Sequence, residues 1–125
     1  MKLAHTMIRV KSIDESLDFY CNFLGLREVR RHEINNEATL IFLSDEKVEY
    51  FLELTFNHDD REYQLGDQFG HIALVTKDFE AIVNQIKESG RWYRESNVKS
   101  SSKYVFVKDP NGYDIEILQE KPKQR

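Results

Sequence analysis

The sequence runs twice through the same succession of patterns, and this duplication restricts the fold more than any single motif does. The first half opens with a strand-like stretch from Leu3 to Val10 and continues into SIDESLDFYCNFLGL, where Ile13, Leu17, Tyr20, Phe23 and Leu24 recur at helical spacing. Ser12 or Asp14 is placed to cap this helix, and Gly25 to end it. Three strand-like segments follow, about Leu26 to Ile34, Ala38 to Leu43 and Val48 to Phe56, separated by the polar turns NNE and SDEK. After the connector NHDDREYQLGDQ the order resumes. FGHIALVT reads as a strand, and DFEAIVNQIKESG as a helix with the stripe Phe79, Ile82, Val83 and Ile86. Further strands are expected near Trp92 to Glu95, Lys103 to Val107 and Tyr113 to Gln119, with DPNG turning between the last two. Each half is β-α-β-β-β. The expectation is one α+β domain over residues 1–125 built from two modules, about 1–57 and about 69–120.

A chain of 125 residues has no room for a separate cofactor domain, so any site must be built into these modules. The net charge of -4 comes from interspersed acids and bases, without the sustained basic stripe that tracks a phosphate backbone, which argues against nucleic acid as a partner. The single cysteine, Cys21, has no intrachain partner for a disulfide and reads as a helix-packed thiol. MKLAHTMIRV has no continuous apolar core of a signal peptide, and no later run is long enough to cross a bilayer. A cytoplasmic protein without membrane contact is the expectation.

Aligning the two helices sets His5 opposite His71, and Glu53 of FLEL opposite Glu116 of DIEIL, at separations of 48 and 45 residues. Side chains alternate along a strand, so parity assigns the faces. His5 goes with Leu3, Met7 and Arg9, and Glu53 with Phe51, Thr55 and Asn57. His71 goes with Phe69, Ala73 and Val75, and Glu116 with Asp114 and Leu118. The opposite faces are the more apolar ones, suited to packing under a helix. A glutamate between leucines or isoleucines costs several kcal/mol to bury unless its charge is compensated. No lysine or arginine holds the matching positions, but two imidazoles do. Taken singly, each of the four is an ordinary strand residue. Taken together in equivalent places, two His and two Glu form a sensible ligand set for a divalent first-row cation, with positions left open for water or substrate. His32 and His58, in the charged stretches RRHE and NHDDR, read as surface residues.

With these residues in view, the chain resembles the glyoxalase I branch of the vicinal oxygen chelate superfamily. The likeness covers nearly its whole length: HTMIRV, SLDFYCNFLGL, FLELTFN, FGHIAL and DPNGYDIEIL. The resemblance implies paired βαβββ modules in a curved mixed sheet, assembled as a homodimer with the sites at the interface. His5 and Glu53 of one chain would then meet His71 and Glu116 of the other around one divalent metal per site. The short chain is similar to the bacterial type that favours nickel or cobalt, with zinc also compatible. The implied reaction isomerises the hemithioacetal of methylglyoxal and a thiol, usually glutathione, to S-D-lactoylglutathione by proton transfer between adjacent carbons through an enediolate. Glu116 is implied as principal base, with Glu53 as ligand and second base.

Parity adds that Arg9 lies four residues beyond His5 and Asn57 four beyond Glu53, both on the cavity face about 13 Å along at strand rise. Family likeness gives this pair the γ-glutamyl end of glutathione. Relatives commonly carry a Lys-Gly-Gly type loop for the glycyl carboxylate. Here VKSSSKY keeps Lys99 but has Ser100 and Ser101, which restrict the backbone more than glycine does and leave the thiol open. Two other readings belong to the same fold: an epimerase acting through a metal-stabilised enolate, and a metal-free module that binds a drug or other small ligand.

Overall fold

The computed structural model describes residues 1–97, 99 and 102–121. The chain divides into two compact units, Met1–Gln64 and Leu65–Arg125. The first contains β1 (His5–Arg9), α1 (Ile13–Leu17), a π-helical segment (Asp18–Phe23), β2 (Arg27–Ile34), β3 (Ala38–Ser44) and β4 (Phe51–Asn57). The second contains β5 (His71–Thr76), α2 (Phe79–Ser89), β6 (Tyr93–Glu95), β7 (Tyr104–Lys108) and β8 (Asp114–Gln119). Each unit forms a four-stranded mixed sheet, in the orders β1-β4-β3-β2 and β5-β8-β7-β6. The first strand of each unit pairs in parallel with its last, which requires a long crossover, and the remaining pairs are antiparallel. This is the expected α+β architecture of two β-α-β-β-β modules.

The helices form for the local reasons the sequence advertises. Ser12 caps α1, its hydroxyl accepting from the Glu15 amide at 3.2 Å. Asp78 caps α2 by accepting from the Ala81 amide at 3.1 Å. Gly90 ends α2 at φ 74°, a left-handed conformation that glycine adopts without strain. The first helix departs from expectation. Its second part is π-helical, and the buried residues are Ser16, Phe19 and Tyr20, each at most 1% exposed, of which only Tyr20 lies on the predicted stripe. The fourth strand also begins later than Val48. Val48 sits at φ 57° in a turn where the Asp45 carboxylate accepts from the amides of Lys47 and Val48.

The core of the first unit gathers Ile8, Val10, Phe19, Tyr20, Ile41, Leu43 and Leu54. That of the second gathers Phe79, Val83, Ile86, Val105, Val107, Ile115 and Ile117. These strand residues have the parity opposite to the histidines and glutamates, so helix packing consumes one face of each sheet and leaves the other for chemistry. Among the described residues, no helix is long and apolar enough to cross a membrane.

Candidate metal centre

In the first unit, β1 and β4 are in register with Met7 opposite Glu53, so His5 stands one diagonal step away on the same face. His5 Nε2 lies 3.3 Å from Glu53 Oε1. The second unit repeats this step. Ala73 is opposite Glu116, and His71 Nε2 lies 3.3 Å from Glu116 Oε1. Two ligand atoms that each stand about 2.1 Å from one cation are separated by roughly 3.0 to 3.4 Å, according to the bond angle. Both pairs therefore have the spacing of neighbouring positions in a coordination sphere, and imidazole with carboxylate is a donor set for a divalent first-row ion. Each pair supplies two ligands. Among the described residues, no group of three or more His, Cys, Asp or Glu side chains is placed to hold a metal ion.

The two glutamates are not held alike. Glu53 is 8% exposed, and its second oxygen accepts a hydrogen bond from the Thr55 hydroxyl at 2.8 Å. That bond fixes the carboxylate with Oε1 toward His5 and meets part of the cost of burying charge. In the second unit Leu118 takes the place of Thr55, two residues beyond Glu116 on the same strand face, and the Glu116 side chain is 19% exposed against 10% for Glu53.

Arg9 and Asn57 repeat the geometry of the His5 and Glu53 step. Arg9 is opposite Thr55, which sets Asn57 one diagonal step away on the same face. The Asn57 amide donates to the Tyr63 hydroxyl at 2.7 Å. A cavity of about 600 Å³ opens beside Asn57 at the strand end, lined also by Lys11, Asp59, Asp60, Arg61, Glu62 and Tyr63. Lys99 is exposed, with its backbone amide donating to the Asn97 side chain at 3.0 Å. The neighbouring Ser100 and Ser101 lie outside the described residues.

Several features escape sequence reasoning. Tyr63 lies in a connector and shows no periodic signal. His58, read as a plain surface residue, has its Nε2 2.7 Å from the buried Thr39 hydroxyl, which also contacts both oxygens of Glu33 at 2.9 Å. Behind each metal-capable pair stands an aromatic ring with a guanidinium on its far side: Phe42 with Arg30, and Phe106 with Arg94. A comparison of the two halves strand by strand finds these residues, but only once the register is known. Cys21 plays no part in either pair. Burial, reinforced by the nearby Glu28 charge, pushes its thiol above the ordinary range, which makes it a weak nucleophile.

A family model described as the Glyoxalase/Bleomycin resistance protein/Dioxygenase superfamily matches residues 2–117. The lactoylglutathione lyase of Neisseria meningitidis serogroup A is 41% identical over 127 residues, an alignment covering 97% of this chain and 92% of that protein. The probable lactoylglutathione lyase of Synechocystis is 39% identical over 130 residues, covering 99% of each. Among solved structures, the trypanothione-dependent glyoxalase I of Leishmania major superposes with a TM-score of 0.83 at 32% identity, covering 96% of this chain and 87% of that one.

Proposed function

The chain belongs to the Glyoxalase/Bleomycin resistance protein/Dioxygenase superfamily, and from its full-length likeness to lactoylglutathione lyases within it we infer that it is a glyoxalase I that isomerises the hemithioacetal of methylglyoxal and glutathione to S-D-lactoylglutathione. The observation that carries this reading is the duplicated His and Glu pair, each closed to 3.3 Å. A module that merely binds a small ligand has no use for two such pairs in equivalent places.

The residues that would hold the metal are His5 and Glu53 of one chain with His71 and Glu116 of a second copy. When bound, a divalent cation supplies Lewis-acid stabilisation of negative charge on the substrate oxygens. Nickel or cobalt is the favoured ion by likeness to the short bacterial enzymes, with zinc compatible. Pairing between two copies is supported by what flanks the histidines. Met7, Phe69 and Val75 share their faces and are 38%, 51% and 65% exposed, apolar surface that an assembly covers.

Proton transfer falls to the glutamates. The carbon-bound proton passes to a carboxylate as the C–H electron pair forms a carbon–carbon double bond and the carbonyl π pair moves onto its oxygen; the protonated carboxyl then delivers that proton to the adjacent carbon, while the hydroxyl proton passes to the former carbonyl oxygen and the thioester carbonyl forms. Glu116 is the principal base, because it lacks the hydroxyl tether that fixes Glu53 and retains freedom to reach both carbons. Glu53 is the anchored ligand and second base. The γ-glutamyl end is assigned to Arg9 and Asn57, the latter bonded to the Tyr63 hydroxyl, and the glycyl carboxylate to Lys99, by family likeness. The lone thiol and the absence of a basic stripe accord with a cytoplasmic enzyme that does not engage nucleic acid.

The test is metal-stripped protein reloaded separately with nickel, cobalt or zinc, followed by thioester absorbance from methylglyoxal with glutathione and with other low-molecular-weight thiols. Thioester should accumulate with glutathione for at least one ion. No product with any ion and any thiol would refute the assignment.

A further inference from the structure

Each sheet carries the same four residue types across its four strands, on the face of the metal-capable pair. In the first unit Phe42 is the register partner of Glu53, and Arg30 that of Phe42. In the second, Phe106 is the partner of Glu116, and Arg94 that of Phe106. Register partners point to the same side. The order His, Glu, Phe, Arg therefore runs from one edge strand to the other, twice. The two halves differ at neighbouring positions on these faces, Met7 against Ala73 and Thr55 against Leu118, yet agree at this ring and this cation.

The contacts also repeat. The guanidinium carbon stands 4.1 Å from the ring centroid of Phe42 for Arg30, and 4.7 Å from that of Phe106 for Arg94. The imidazole meets the same ring nearly at right angles, His5 with Phe42 at 5.6 Å and 86°, and His71 with Phe106 at 5.1 Å and 90°. Among the described residues, neither Arg30 nor Arg94 forms a salt bridge. A cation seated on a ring restricts its tilt, and a restricted ring limits rotation of the imidazole packed against it. That rotation is what would carry Nε2 away from the carboxylate.

We propose that Arg30 and Arg94 are positioning residues for the metal-binding histidines, acting through Phe42 and Phe106. The inference rests on the metal-site reading above. It makes a prediction of definite sign, because bracing and bare charge act in opposite directions. A guanidinium two strands, about 10 Å, from the glutamate repels a divalent cation, so if only its charge mattered its removal would tighten metal binding. If it braces the histidine, removal loosens binding, as loss of an outer support for a ligand does.

The experiment uses Arg30→Met and Arg94→Met in the full chain, with Arg30→Lys as the conservative replacement. Both arginines are exposed strand residues, and two variants in separate units give independent tests. Cobalt affinity is measured by competition with a chromophoric chelator, and histidine ring proton signals are recorded on the metal-free protein. Each Met variant should bind cobalt about threefold to tenfold more weakly than wild type. The ring signals of the histidine in its own unit should shift, Arg30→Lys should recover part of the affinity, and KM at saturating metal should stay near wild type. Affinity unchanged or increased in both Met variants, or histidine signals that coincide with wild type, would overturn the proposal. Failure of the underlying reading looks different: wild-type protein that binds cobalt no better than its His5→Ala variant contradicts the metal site itself.

Discussion

The hydroxyl of Thr55 distinguishes the surroundings of two glutamates that occupy equivalent places in the duplicated pattern. Glu53 has one oxygen held at 2.8 Å by Thr55 and the other directed at His5, whereas Leu118 in the corresponding position offers Glu116 no such bond. A ligand gains from being fixed, and a base that must visit two carbons gains from reach. Glu116→Gln preserves shape but removes the proton acceptor, and should lower kcat by about a hundredfold to ten-thousandfold in protein that still contains metal. Metal content and turnover measured on one preparation check this, and near-normal turnover would transfer the base role elsewhere. Thr55→Val should act on the other quantity. Metal affinity should fall roughly tenfold as the Glu53 carboxylate loses its outer support, while kcat at saturating metal changes little. Equal losses of kcat in the two variants would erase the distinction drawn between these carboxylates.

The elements show where stability resides and how far the sequence reveals it. Asp78 closes the first turn of α2, whose buried residues Phe79, Val83 and Ile86 cover the second sheet. Asp78→Ala should cost about 1 kcal/mol, seen as a lower urea midpoint with an unchanged slope. A variant as stable as wild type would mean that another group caps the helix. This helix was legible because its apolar residues recur at ordinary helical spacing and its ends carry Asp and Gly. The strands were legible by alternation to within one to three residues at their ends. The first helix was legible only in part, because Ile13, Leu17, Phe19, Tyr20, Phe23 and Leu24 spread over two overlapping stripes and spacing alone does not say which one faces the core: Phe19 is fully buried, whereas Phe23, on the predicted stripe, is only partly so. Each His and Glu pair was legible because duplication placed like residues at like intervals. Phe42, Phe106, Arg30 and Arg94 were not, because strand pairing, rather than local pattern, brings them beside the pairs.

At the scale of the whole molecule, the proposed site requires two copies of the chain, with module 1 of one completing module 2 of the other. This can be tested by complementation between inactive chains. A chain carrying His5→Ala and Glu53→Gln keeps only the second pair, and a chain carrying His71→Ala and Glu116→Gln keeps only the first. Neither homodimer contains an intact site. In a mixed dimer assembled across the interface, one site combines both damaged modules and is dead, while the other combines both undamaged ones and is whole. Random association makes about half the dimers mixed, so co-expressed chains should recover roughly a quarter of wild-type activity per chain. If each chain instead closed its own site, every site in the mixture would contain a damaged pair and recovery would be nil. The yield of mixed dimer can be determined by differential tagging of the two chains, and activity in that fraction should approach half of the wild-type value.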